Sequence, residues 1–491
     1  MSKSKQEKIQ VNFCGENAQE VTGSMTLITI PLTNEKKEDK ILIECGLRQS
    51  SSKLDDYKIN QERFKFKAKD ISYCFIAHQH IDHIGRIPLL VKRGFNSKII
   101  VPKGEKLFIE ALLKDSQYIL ERDSIWITKK KNTKLLPLYD KEDIEKTMNL
   151  IQEYDFNTVH KLNDHISFEY IHSGHIINSA SIVLYLKNKT NNVTKIFYTS
   201  DLGNVLFQKQ NDYLQPMETV DKCNYVISES TYADKDRLRY ADKKERYKDI
   251  EKIKTGIRQT CYDNKGRVLF PSFSLGRSQQ LLTLLYKIYG NDEDFNIPIY
   301  VDSPLMCTMF NIYSKVLERK EDIELFNKVC NWKNVKFIRD ADSSKLAVSE
   351  NQPCICIASG GFLTGGGRAI NWARKVLPRE NDILIFTGYG GKKGSVVWRI
   401  KHCRENKTIS IEGVVCKNKA SVLDLHSFSS HIQHNQLLEL LSKKIQCDKI
   451  FLVHGNMDSK IDFAKELKEE LEKNNKTTQV CIVNKGTKAN L

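Results

Sequence analysis

The sequence predicts a layered α/β fold in which one doubly wound domain is inserted into another. Three observations carry that expectation. Apolar, β-prone runs alternate with stretches whose apolar residues recur at helical spacing, as in strands and helices stacked in layers. A second strand and helix series, about 180 residues long and with its own rhythm, starts near residue 235. The chain then returns to the style of its first half.

In chain order, TLITIPL (26–32), KILIECG (40–46), YCFIAH (73–78), KIIVP, IVLYL (182–186) and KIFYTS (195–200) read as strands. Between KIIVP and IVLYL, the stretches GEKLFIEALLKDSQYILERD and KEDIEKTMNLIQEY show helical spacing. The second series reads helix KKERYKDIEKIKTGIRQTCYDN, strand RVLFPSF, helix SQQLLTLLYKIYG and strand PIYVDS, then strands ICIAS and DILIFTG. The end carries helix NQLLELLSKK, strand KIFLVHG and helix DSKIDFAKELKEELEKN.

Composition narrows the function classes. A chain of 491 residues has room for about two to four domains, and 40% hydrophobic with 28% charged residues is ordinary for a globular protein. No apolar stretch approaches the roughly 20 residues that span a bilayer, and MSKSKQEKIQ lacks the apolar core of a signal peptide. A cytoplasmic chain with no membrane partner is expected. The 13 cysteines are mostly single, without a CxxC pair, which suits free thiols in a reducing compartment. A net charge of +16, from 77 Lys and Arg against 61 Asp and Glu, draws polyanions and makes nucleic acid a candidate partner. The densest basic runs are Lys129-Lys130-Lys131 and KDRLRYADKKERYK, and either is equally readable as a solvated face.

The chemistry concentrates in FIAHQHIDHIG. Residues His78, His80, Asp82 and His83 take up a quarter of the chain's 12 histidines just past an apolar strand. Alternate residues of an extended segment point the same way, so His78 and His80 can grip one ion, while Asp82 and His83, past the turn, can face a second. By chance such a cluster arises in a chain of this composition on the order of once in a thousand or less. His175 in IHSGHIINSAS, Asp201 in YTSDLGN and His454 in FLVHGN likewise follow apolar runs beside glycine. Singly, each is ordinary loop chemistry; after the first cluster, three in succession read as further ligands.

These stretches resemble the metallo-β-lactamase-fold hydrolases of the β-CASP branch, the nucleases that include ribonuclease J and the endonuclease subunit of the cleavage and polyadenylation specificity factor. HQHIDHIGRIPLL resembles the second family motif, HSGHIINSAS the third and YTSDLGN the fourth; VTGSMTLI with ILIECGLRQ resembles the first. ISESTY matches β-CASP motif A, HSFSSH motif B and LVHGN motif C, while PSFSLGRSQQLL, VDSPL, ASGGFLTGGG and TGYGGKKGSVVWRI resemble the inserted domain. The resemblance implies an αββα metallo-β-lactamase sandwich, 1–233 and 416–491, with a doubly wound β-CASP domain inserted at 234–415. It further implies two Zn2+ per chain: His78, His80 and His175 on one, Asp82, His83 and His454 on the other, and Asp201 bridging both. A water shared by the ions would attack phosphorus. His431 would be the general acid, oriented by Glu229, making Asp82, Asp201, Glu229 and His431 the catalytic set. Arg277, at the start of a helix, and Ser429 are the expected substrate contacts.

Glu44 stands where the first motif normally has aspartate, which lengthens a carboxylate expected to brace the metal loop. Gln433 stands where relatives are often acidic. Histidine at motif C resembles the RNA-processing members, so the implied activity is zinc-dependent hydrolysis of RNA, endonucleolytic with 5′-exonucleolytic cutting as a second mode. The implied substrate is single-stranded RNA entering a cleft between the domains, and a homodimer is an expected assembly. Two alternatives stand beside this one: hydrolysis of another ester or thioester on the same fold, and a non-catalytic RNA-binding scaffold.

Overall fold

The computed structural model describes residues 8–32, 38–50, 52–131, 135–188, 192–205, 213–235, 242–388, 391, 393–404 and 407–491. Residues 236–241 of KDRLRYADKKERYK, and 389, 390 and 392 of TGYGGKKGSVVWRI, lie outside this set, as does the Lys131 side chain. Two compact units result, one formed by 1–208, 214–238 and 430–491, the other by 209–213 and 239–429. Among the described residues, no helix is long and apolar enough to cross a membrane. The 13 cysteines are free thiols.

The first unit is a sandwich of two seven-stranded sheets. In one, an antiparallel start (Gln10–Phe13, Thr26–Pro31, Glu38–Ile43) passes into parallel strands Tyr73–Phe75, Lys98–Pro102 and Ile151–Tyr154. The chain's last strand, Lys488–Asn490, closes the other edge beside Gln10–Phe13. In the second sheet, Ile166–His172, Ala180–Lys187 and Val193–Tyr198 are antiparallel neighbours, and Tyr225–Ser228, Lys449–Leu452 and Gln479–Ile482 continue in parallel. Alternation decides which side chains meet: Ile28, Ile41, Phe75 and Ile100 of one sheet pack on Phe168, Ile182, Tyr198 and Phe451 of the other. The outer face of the second sheet is covered by Leu437, Leu441, Phe463 and Leu467 from helices near the C-terminus.

The second unit holds a six-stranded parallel sheet, in the order Val335–Ile338, Ile299–Asp302, Cys354–Ser359, Arg267–Ser272, Ile383–Phe386, Ser421–Asp424. The middles of its central strands, Val268–Phe270 and Ile355–Ala358, are apolar and buried, as expected of a parallel sheet covered on both faces. Trp372 packs on it with its indole N–H donating to Asp302 at 2.8 Å, and the buried Arg267 meets Asp382 at 3.0 Å.

Three expectations change. The stretch 141–154 is helical only over Lys141–Leu150; its last four residues form a strand paired in parallel with Lys98–Pro102, because an open sheet edge outweighs local helical spacing. The helix expected over 104–123 runs Lys106–Lys131. The chain re-enters the first unit at Ser430 rather than at 416, since Ser421–Asp424 still pairs with Ile383–Phe386.

Candidate metal centre

Each cluster residue lies just past the carboxyl end of a strand of the first unit. Glu44 follows Glu38–Ile43, His78 to His83 follow Tyr73–Phe75, and His175 follows Ile166–His172. Asp201 follows Val193–Tyr198, Glu229 follows Tyr225–Ser228, and His454 follows Lys449–Leu452. Strand ends are where an α/β sheet gathers side chains from distant parts of a chain. The loops there are packed backbone to backbone. A Cβ on Gly46 would overlap the carbonyl of Asp82, and one on Gly203 would overlap that of Gly174, so only glycine permits these approaches. Glu44, Ser200 and His454 sit in left-handed backbone conformations, with φ of 61°, 49° and 52°. Surrounding hydrogen bonds hold that strain, including His454 N–H to the Asn17 carbonyl at 2.6 Å.

The ring nitrogens divide into outer and inner sets. His78 turns Nδ1 to Ser200 Oγ (3.2 Å), His83 turns Nδ1 to Glu44 (2.8 Å), and His454 turns Nδ1 to Thr231 Oγ1 (2.9 Å). The fold thus fixes each ring and leaves Nε2 facing inward. His78 Nε2 and His175 Nε2 stand 3.1 and 3.4 Å from His80 Nδ1, and both are 3.6 Å from Asp201 Oδ2. On the other side His83 Nε2 is 3.7 Å and His454 Nε2 3.6 Å from Asp82 Oδ2, with Asp201 3.5 Å from each of these two rings. His431 arrives with Ser430, bridges Gly203, and places Nδ1 3.3 Å from Glu229 and Nε2 3.9 Å from Asp201.

The donor set fits metal. His83 Nε2, His454 Nε2 and Asp201 Oδ1 are buried and make no hydrogen bond, a costly state for polar atoms unless a cation completes them. Ligand atoms of His78, His80, His175 and Asp201 lie within 4.8 Å of one another, as do those of Asp82, His83 and His454. Burial holds His78 and His175 well below the usual histidine range, and His80 at about 4, so these rings present lone pairs. Burial works against the charge of Asp201, yet His454, His83 and His431 keep its carboxyl well below the ordinary value. His431 goes the other way: burial opposes its charge, but Glu229 and Asp201 push it up to about 10.

The longer Glu44 is accommodated rather than displaced. Fully buried, it accepts from Ser24 Oγ, from Tyr198 OH at 2.6 Å and from Ser200 Oγ at 2.9 Å while meeting His83. Thr231, which locks His454, escaped sequence reading although it lies two residues past Glu229 in the same motif. Gln79, between His78 and His80, also escaped; its amide lies 2.9 and 3.0 Å from the buried Glu105 carboxyl oxygens. His434 is taken up by the fold, between the Ala233 carbonyl and Glu466. Arg277 opens the helix Arg277–Tyr289 and Ser429 is buried, both in the second unit.

Fold and donor set together define a metal-dependent hydrolase on the metallo-β-lactamase scaffold. Comparison with known proteins narrows this. The Beta-Casp domain model matches residues 278–396, the model for the Zn-dependent metallo-hydrolase RNA specificity domain matches 417–478, and that for the anti-Pycsar protein Apyc1 matches 29–238. Ribonuclease TTHA0252 of Thermus thermophilus is 24% identical over 459 residues, spanning 92% of this chain and 94% of its own. The RNase J-like protein of Methanocaldococcus jannaschii is 25% identical over 438 residues, 88% and 90% of the two chains. Transcription termination factor FttA of the same organism is 24% identical over 480 residues, 95% and 70% of the two. A crystal structure of a protein of unknown function from Enterococcus faecalis shares the fold, with a TM-score of 0.53 at 13% identity over 99% of this chain and 100% of that one. The Beta-Casp and RNA specificity domain matches, with the relatives named as ribonucleases, support a β-CASP hydrolase of the metallo-β-lactamase fold.

Proposed function

We propose that this chain is a zinc-dependent ribonuclease that cuts RNA phosphodiester bonds internally. The observation that carries this is the convergence of buried, uncompleted His and Asp atoms beside the His431–Glu229 pair. The RNA specificity domain model and the relatives named as ribonucleases support RNA as the substrate.

His78, His80, His175 and Asp201 would hold one zinc, and Asp82, His83, His454 and Asp201 the other. Bound zinc supplies Lewis-acid activation of water and neutralises charge building up at phosphorus. The remaining work belongs to the chain. Glu44 and Thr231 aim His83 and His454, and Asp201 sets the spacing of the two clusters. Glu229, itself accepting from the Leu202 and Thr231 N–H groups, fixes His431 through Nδ1. His431 Nε2 then carries the proton that the departing ribose oxygen takes up.

The test is cleavage of RNA labelled at each end in turn, with 5′-phosphate and 5′-hydroxyl forms compared, beside metal analysis of the purified chain. Internal products that depend on zinc and vanish in Asp201→Ala are expected. No cleavage by the zinc-loaded protein, or a metal content below about one ion per chain, would favour a scaffold instead.

A further inference from the structure

The helix Lys106–Lys131 belongs to the first unit and starts beside the loop that carries His78 and His80. Glu105, the residue before it, touches Gln79 between His78 and His80. From there it extends about 39 Å at 1.5 Å per residue. Its exposed side is unusual for a water-facing surface. Tyr118, Ile125 and Trp126 are 58%, 50% and 47% exposed. Arg122 stands over the Tyr118 ring at 5.7 Å, and Lys130 over the Trp126 ring at 4.6 Å, with Lys53 reaching the same indole at 5.8 Å. Tyr118, Arg122, Trp126 and Lys130 follow one another at four-residue steps, so they form a single stripe with about 6 Å between successive side chains.

Of the neighbouring acids, Asp123 is engaged by Lys53 at 2.7 Å and Glu121 by Gln117 at 3.1 Å, while the partly buried Asp115 lies within electrostatic reach of Arg122. Among the described residues, the ion pairs of this helix are Lys53–Asp123 and Lys114–Glu110, and none involves Arg122, Lys129 or Lys130. Glu121 keeps its charge against a neutral amide, but the exposed cations Arg122, Lys129 and Lys130 outnumber it, which favours an anionic partner. Aromatic and cationic groups alternate along the stripe instead of separating into an apolar band with basic flanks. That alternation suits a strand that presents bases and phosphates in turn, and does not suit a lipid surface. Lys129 and Lys130 belong to a basic run that the metal chemistry leaves without a role.

We propose that the Tyr118–Arg122–Trp126–Lys130 stripe is a docking track for single-stranded RNA outside the metal centre. The track rests on, and deepens, the ribonuclease reading. Bases stack on the exposed parts of the Tyr118 and Trp126 rings, and Arg122 and Lys130 neutralise the phosphates between them. Strands long enough to reach the stripe gain affinity, and very short ones do not.

The test compares Tyr118→Ala/Trp126→Ala and Arg122→Glu/Lys130→Glu with the parent chain, by fluorescence anisotropy with long and tetranucleotide single-stranded RNA. Binding is read in the Asp201→Ala background so that the strand is not consumed, and circular dichroism checks the fold. The expected result is a loss of about tenfold or more in affinity for long RNA, with tetranucleotide affinity unchanged. Charge reversal should also lower the salt slope by about two. Unchanged affinity for long RNA overturns the track, as does stripe-dependent binding of phosphatidylserine vesicles without RNA binding. Cleavage of tetranucleotide RNA by the parent chain is read in parallel. If the parent cleaves it and the stripe variants bind long RNA normally, the track alone fails; if the parent cleaves no RNA, the ribonuclease reading fails.

Discussion

His431 and His83 each lean on a buried carboxylate through the outer nitrogen, Glu229 and Glu44 respectively, whereas hydroxyls hold His78 and His454; at His431 the Glu229 carboxylate favours a proton on the ring. His431→Ala should therefore keep its metal and lose about 10²- to 10⁴-fold in turnover, seen by metal analysis and single-turnover kinetics side by side. Parent-rate cleavage by that variant would remove the acid role. Lys460 makes a separate point about stability. Buried, with its amine donating to the Ala18 carbonyl, it is pulled down from 10.5 to about 8 by desolvation. A depressed lysine stabilises the fold above its unfolded value, and that contribution drains away as pH falls from about 10.5 through 8. Lys460→Met should flatten this part of the stability profile in urea titrations; a slope identical to the parent's would show that Lys460 is not its source.

At the level of elements, the site is a set of strand ends whose loops interlock. Gly46 and Gly203 are the points where one loop's backbone lies against another's, at Asp82 and at Gly174. Alanine at either position must push the Asp82 or the Gly174 loop aside. Gly203→Ala is expected to lower zinc content and to cost about 1–3 kcal/mol or more of stability, measured by metal analysis and thermal unfolding. Normal metal content in that variant would mean that the loops have slack the packing does not suggest. The strand Ile151–Tyr154 shows how a neighbour decides an element's type. Its residues read as the tail of a helix, but the free edge of Lys98–Pro102 offers a full parallel ladder.

For the whole molecule, two ends of the chain build one sandwich, with Lys488–Asn490 beside Gln10–Phe13, and the centre draws on both. Metal bound there acts on the first unit's folding equilibrium. Thermal unfolding should thus move up with free zinc, by about 2.7 kcal/mol of stabilisation at a hundredfold excess over the dissociation constant, and fall on chelation. A melting curve indifferent to zinc would deny the site a resident ion. The residues that the structure gathers at the strand ends stood out in the sequence because His and Asp at the ends of apolar runs are local features, and the motifs preserve their order. The α/β layering and the doubly wound second series were legible for the same reason, periodicity being local, whereas the αββα sandwich was implied by the family resemblance. Tertiary structure alone decided which nitrogen of each ring faces inward, how Glu44 replaces an aspartate by reaching four partners, and that the return to the first unit waits until Ser430. Those outcomes depend on hydrogen bonds and strand pairing between residues up to hundreds of positions apart, and no window along the chain contains both partners.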